Sequence, residues 1–131
     1  IAELESLSAE EPKDPLLLND LAWLYLQTGD PRALATAQQA HLLAPNVPTI
    51  DDTLGWILVR EGKADDGLKL LEAAASKPGA ATPGMKYRLA VAFDQLGRPR
   101  EARAAVDAAL ASGTNFSEAK DAEALRDRLA K

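Results

Sequence analysis

Leu21-Ala22-Trp23-Leu24-Tyr25 returns as Leu54-Gly55-Trp56-Ile57-Leu58 and again as Leu89-Ala90-Val91-Ala92-Phe93, at intervals of 33 and then 35 residues. Each copy is followed, at one fixed distance from its last large residue, by a glycine: Gly29, Gly62 and Gly97. A motif registered three times at this spacing marks a supersecondary unit stacked on copies of itself. Leu21, Ala22 and Tyr25 are spaced i, i+1, i+4, so they share one helical face, and the small residue lets a second helix approach closely. The glycine supplies the left-handed backbone that ends a helix at little steric cost. The unit is therefore a tight helical hairpin whose first helix stops at the glycine.

The start signals agree with this period. Asp14-Pro15, Asp30-Pro31 and Thr82-Pro83 each place a capping side chain before a proline at the first helical position. Val47-Pro48 and Arg98-Pro99 supply the proline without a good cap, and Pro12 and Pro45 close second helices. Residues 76–81, Ser-Lys-Pro-Gly-Ala-Ala, form a loose connection that accounts for the longer second interval. Helices are predicted near residues 1–11, 15–28, 31–43, 48–61, 64–76, 83–96, 99–111 and 117–130. The last is expected to start at a Ser117 cap with Glu118 in its first turn. Its stripe of Ala122, Leu125 and Leu129 suits a terminal helix, whose outer side must be wetted.

Composition supports an all-α chain. Apolar residues make up 47% of 131 residues, enough for one domain with a core, and only 5% are aromatic. The net charge of −5 is uneven: −6 over residues 1–30, −1 over 31–85 and +2 over 86–131. Phosphate binding needs clustered cations, so nucleic acid is not an expected partner. The absence of cysteine excludes disulfides and thiolate metal sites. No run approaches the length of a membrane span, and no signal-peptide pattern opens the chain. The first residues already read as a helix interior, with apolar residues at 1, 4 and 7, so a fragment of a longer protein is expected.

A helix pair of about 34 residues with L-G-x2-Y in its first helix and A…P in its second resembles the tetratricopeptide repeat, or TPR, family. Its first small position falls on Ala22, Gly55 and Ala90, its second on Ala33, Gly67 and Ala102, and its third on Ala40, Ala74 and Ala109. The closing proline falls on Pro12 and Pro45, and Thr114 stands where the third repeat's would be. The resemblance implies a right-handed superhelix of antiparallel helix pairs over residues 1–131. Its parts are the end of a truncated repeat at 1–12, repeats at 15–46, 48–79 and 83–114, and a capping helix at 117–131. Residues 19–25 (NDLAWLY), residues 52–58 (DTLGWIL) and the ending Phe116-Ser117-Glu118-Ala119 look most like the C-terminal repeats of bacterial TPR lipoproteins of PEP-CTERM sorting and exopolysaccharide export. That narrower resemblance implies a periplasmic, outer-membrane-associated parent.

The family's groove-facing positions fall on Leu16, Asn19, Asp20, Trp23, Leu26 and Gln27 in the first repeat. In the second they are Thr49, Asp52, Thr53, Trp56, Val59 and Arg60, and in the third Gly84, Tyr87, Arg88, Val91, Asp94 and Gln95. Asn19, Trp23, Gln27, Asp52, Trp56, Arg60, Tyr87, Arg88 and Val91 are the candidate protein-binding residues, with Trp23, Trp56, Tyr87 and Arg88 as a ligand patch. The competing expectation is that Trp23 and Trp56 pack between neighbouring first helices, since tryptophan is mostly buried on average. The positions that grip a C-terminal carboxylate in chaperone-binding relatives hold Asn19, Trp23, Thr53, Gly84 and Arg88, so only the arginine remains and such a clamp is not expected. Arg60 and Arg88 are expected to be solvated surface charges, with contact to acidic groups on a partner as the alternative.

Catalytic signals are lacking. His41 is the only histidine and has no partner ligand in sequence. Asp51-Asp52 and Asp65-Asp66 are adjacent on helices and point about 100° apart, so neither pair converges; helix-dipole compensation or solvation is expected. Nucleophile-elbow, phosphate-loop and dinucleotide patterns are absent. The sequence thus predicts a non-enzymatic scaffold for a protein or peptide partner, with no cofactor or metal. Its alternative is a structural segment that extends a solenoid or dimerises through the truncated N-terminal helix.

Overall fold

The computed structural model describes residues 2–10 and 13–131. Among them lie eight helices and no strand: α1 Ala2–Glu10, α2 Pro15–Thr28, α3 Ala33–Leu43, α4 Pro48–Arg60, α5 Ala64–Ala75, α6 Pro83–Gln95, α7 Pro99–Leu110 and α8 Ala119–Leu129. Ile1 and Pro12, which carry expectations about the preceding repeat, lie outside the described residues. Helices α2–α3, α4–α5 and α6–α7 form successive hairpins, and each first helix also touches the next first helix.

Three first helices end in one way. Gly29, Gly62 and Gly97 adopt φ of 73°, 81° and 71°. The amide after each glycine reaches back to the last large residue of the motif: Asp30 to the Tyr25 carbonyl at 2.8 Å, Lys63 to Leu58 at 2.8 Å and Arg98 to Phe93 at 2.9 Å. This bond satisfies a carbonyl that the helix itself leaves unpaired. At the starts, Asp14 accepts from the amides of Leu16 and Leu17 at 3.0 and 3.3 Å, and Thr82 accepts from that of Met85 at 3.2 Å.

Two expected starts are corrected. Helix α3 begins at Ala33 instead of residue 31, because Asp30 folds its carboxylate onto the amide and guanidinium of Arg32 and holds Pro31 in a turn. These bonds, first from the Arg32 side chain and then from its amide, lower the Asp30 pKa to about 2. Helix α8 begins at Ala119 without a side-chain cap, and Ser117 turns to Glu118 instead of a backbone amide.

The nine small positions of the repeat are all buried. They mark where helices touch backbone to backbone, most tightly between α4 and α5. A Cβ on Gly55 would stand 2.9 Å from the Gly67 carbonyl oxygen, and one on Gly67 would stand 2.6 Å from the Gly55 oxygen and 2.7 Å from Val59 Cγ2. Helix α4 is consequently enclosed, with every residue from Ile50 to Val59 buried. One core cluster joins Trp56, Val59, Leu68 and Leu71 to Tyr87, Val106 and Leu125, so it runs from the second hairpin into α8. Another packs Leu21, Tyr25 and Ala37 against Leu54, Ile57 and Leu58.

Gly67→Ala should destabilise the chain by about 1–3 kcal/mol through overpacking, in spite of alanine's better helix propensity. Urea unfolding measures the loss, and an unchanged midpoint would show that the crossing is looser than its geometry.

Candidate functional site

Helices α2, α4 and α6 stand side by side and line an open trough, while α3, α5 and α7 contribute no residue to it. Its largest part is a cavity of about 610 Å³ bordered by Asn19, Asp20, Trp23, Thr49, Asp52, Thr53, Gly84 and Arg88. Leu4 of α1 borders one side, and Ser117 and Glu118, just before α8, border another. A cavity of about 190 Å³ lies among Trp23, Gln27, Trp56, Arg60, Tyr87, Glu118 and Asp121. Val91 and Tyr87 border a further hollow with Asp94 and Arg128. Each of the nine candidate residues thus lines one of three hollows that share Trp23, Tyr87 or Glu118.

Arg88 organises the largest cavity. It is only 7% exposed. Its Nε donates to Asp52 Oδ1 at 2.7 Å and its Nη2 to Asp52 Oδ2 at 2.6 Å, a two-pronged pairing between α6 and α4. Its Nη1 donates to Glu118 Oε2, which brings in the segment before α8. Gly84 leaves room for this cluster, because a Cβ there would stand 3.1 Å from Glu118 Oε1 and 3.2 Å from Arg88 Nη1. Burial opposes the arginine's charge, but the bonds and charges of Asp52 and Glu118 outweigh it and hold its pKa above the ordinary value.

The expected solvated surface arginine is therefore corrected for Arg88; its carbon stem leaves α6 toward the acids of two neighbouring elements. Arg60 does remain exposed, and its guanidinium lies 5.5 Å from the centre of the Trp56 ring. The expected solvation of Asp51 and Asp52 is also corrected, while Asp51 does stand in the first turn of α4, where an acid compensates the helix dipole. Both are buried, and they point to opposite partners: Asp52 to Arg88, and Asp51 to His41, whose Nδ1 lies 3.0 Å from Asp51 Oδ1. Burial pushes the Asp51 carboxyl above its usual range against the opposing pull of His41. Asp65 and Asp66 are exposed in the first turn of α5.

The aromatic residues divide. Trp56 is 6% exposed and belongs to the core cluster, where its ring centre lies 6.1 Å from that of Tyr87. Trp23 is half-buried and packs on the edge of the same cluster. Its ring lies 5.7 Å from the Arg88 guanidinium. Val59, expected in the groove, is fully buried against Gly67 instead. Sequence reasoning missed Leu4, Thr82, Ser117, Glu118 and Asp121 as lining residues, since they come from outside the first helices. Glu118 had the clearest signal, an acid just ahead of a helix, but that signal names no distant partner.

Arg88→Leu should cost about 3–5 kcal/mol by stranding the buried Asp52 carboxylate, and Arg88→Leu with Asp52→Leu should recover most of that loss. Equal losses in the single and double variants, by urea unfolding, would refute the coupling. The raised Asp51 pKa gives a second expectation. The unfolded carboxyl ionises near about 3.9, before the folded one, so this group's contribution to stability is full below that pH and is lost as pH rises through the folded pKa. The unfolding free energy of the wild type minus that of Asp51→Asn should therefore fall as pH rises from about 4; a difference that is flat or rising with pH would contradict it.

No protein-family model matches the sequence, and no curated protein matches it. Solved structures do match. One titled as the crystal structure of MamA superposes with a TM-score of 0.73 at 17% identity, over 97% of this chain and 78% of that one. MamA 41-end from Desulfovibrio magneticus RS-1 gives 0.72 at 19% identity, over 97% and 76%. TTC0263, a thermophilic TPR protein of Thermus thermophilus, gives 0.70 at 23% identity, over 97% and 68%. At these identities the likeness speaks for architecture alone, and it shows the chain to be an all-α, TPR-like helical solenoid.

Proposed function

We propose that the chain is a non-enzymatic scaffold that receives a segment of a partner protein in the trough formed by α2, α4 and α6. The observation that carries this reading is the trough itself. Side chains from three first helices, α1 and the segment before α8 border adjoining hollows of about 610 and 190 Å³ that share Trp23 and Glu118, room for several residues of a bound chain. Half-buried Trp23 and exposed Gln27 and Asp20 offer it an aromatic surface and polar contacts, the mixture typical of interface anchors and their rim. The adjacent acids of α4 are committed to side chains of neighbouring helices, Asp52 to Arg88 and Asp51 to His41.

The narrower reading places the scaffold in a bacterial sorting, export or exopolysaccharide-assembly system, at the periplasmic side of an outer membrane. It draws on the wording of residues 19–25 and 52–58, and the structural neighbours named above add nothing to it. The competing reading, assembly of copies through α1, draws on exposed Leu7. Glu5 of the same helix is already engaged, accepting from the Tyr25 hydroxyl at 3.0 Å and from Arg32 at 3.1 Å.

A photo-crosslinking residue at Asp20 or Gln27 should join the chain, in its host, to the same partner peptide, and one at Asp65 on α5 should not. Trp23→Ala should weaken that capture about tenfold or more while leaving the helical spectrum intact, as loss of an anchor of about 2 kcal/mol would. Capture at Asp65 alone, or capture insensitive to Trp23, would remove the trough from its assigned role.

A further inference from the structure

The hydroxyls of the two tyrosines differ in their surroundings. Tyr25 donates to Glu5 Oε2 at 3.0 Å. Tyr87 is only 9% exposed, yet its hydroxyl makes no hydrogen bond among the described residues. It is not sealed off either: the one side-chain oxygen or nitrogen among them that is both shielded from solvent and unpaired is Asn19 Oδ1. Tyr87 borders the hollow of about 190 Å³ together with Gln27, Arg60 and Asp121. Burial raises its pKa, as do the charges of Asp121 and Glu118, against the pull of Arg60 and Arg88. The hydroxyl therefore stands among those four charges and keeps its proton at neutral pH, a donor with an accessible side and no acceptor of its own.

The neighbouring charges restrict what it can receive. Glu118 is bound to Arg88, and Arg60 is held beside the Trp56 ring, 5.5 Å from its centre. A carboxylate brought here would meet Asp121 and Glu118, and a cation would meet Arg60. A neutral group that both donates and accepts meets neither repulsion, and a few convergent polar groups in a small hollow are what orient such a group.

Resting on the docking role proposed above, we infer that the partner segment places the side-chain carboxamide of a glutamine or asparagine in this hollow, where its carbonyl oxygen accepts from the Tyr87 hydroxyl. Arg60 is a second donor to that oxygen, and the amide of the carboxamide donates to Asp121 or to the Gln27 side-chain oxygen. The partner's main chain lies in the adjoining cavity of about 610 Å³, which shares Trp23 and Glu118 with the hollow. Trp23 gives the methylenes of the entering side chain an apolar wall. An apolar side chain in the same place would strip water from the Tyr87 hydroxyl and return no acceptor, which is how a polar site rejects it.

The test selects twelve-residue peptides from a randomised display library on the immobilised chain. The tightest binder is then remade with its recurrent residue as Gln, Glu, Leu or Lys, and affinities are read by fluorescence anisotropy. The contact site comes from the Gln27 side-chain amide and Trp23 indole signals in NMR spectra. Selected peptides should share Gln or Asn at one position and move both signals. Tyr87→Phe removes the hydroxyl and keeps the ring in the core. It should weaken the Gln version about three- to tenfold, by loss of one hydrogen bond, and leave the Leu version unchanged. Equal weakening of both would make the hydroxyl a support of the trough alone and overturn the inference. Gln and Leu versions of equal affinity would overturn it as well, since the hollow would then read no side-chain carboxamide. If the selected peptides share Glu, Lys or an apolar residue and still move the Trp23 indole, the carboxamide fails and the docking role stands. If no selected peptide moves any signal of the trough, both fail.

Discussion

Backbone-to-backbone approach at small residues is the constraint on which the structure depends. Where Gly55 meets Gly67, α4 and α5 lie too close for even one methyl group, and Ala22 with Ala33 and Ala90 with Ala102 hold the same places in the neighbouring hairpins. Close hairpins are thin, so their large side chains, Tyr25, Leu58 and Phe93 among them, find cover partly on the adjoining pair. Stacking follows from that need, and the trough follows from stacking, because three first helices set side by side leave one shared face open. The chemistry of the site thus begins with the absence of side chains at a few crossings.

A second layer fixes the trough's shape. Arg88 binds α6 to α4 through Asp52 and reaches the start of the terminal helix through Glu118. The carboxylates make its burial tolerable, and its removal would leave them as unpaired charges in a low-dielectric place. Farther along, Arg128 of α8 pairs with Asp94 of α6 across the surface, an exposed contact of smaller worth. Helix α8 and the segment before it bring Asp121 and Glu118 to the trough and make its lining acidic.

What the sequence discloses is what short-range geometry controls. The helix period, glycine stops and proline starts were all legible, because each is written within about six residues. The choice of lining face was largely legible too, since helical periodicity fixes which of Asn19, Trp23 and Gln27 point together. The fates of Arg88, Asp51 and Asp52 were not. Adjacent acids on a helix look alike in a string, yet one step of helical rotation sends Asp51 to His41 on α3 and Asp52 to Arg88 on α6. Asp30 is the local exception: a side chain that can cap a helix can as readily clasp the residue two positions on, and here Arg32 offers both an amide and a guanidinium to hold it.

Contacts between helices join only neighbours and next-but-one neighbours in chain order. No segment must wait for a distant one to arrive, so the entropy lost in closing loops stays small and assembly can spread like a zipper from whichever hairpin forms first. Helix α4, buried from Ile50 to Val59 and packed against a hairpin partner and two neighbouring first helices, is the natural seed for that spreading.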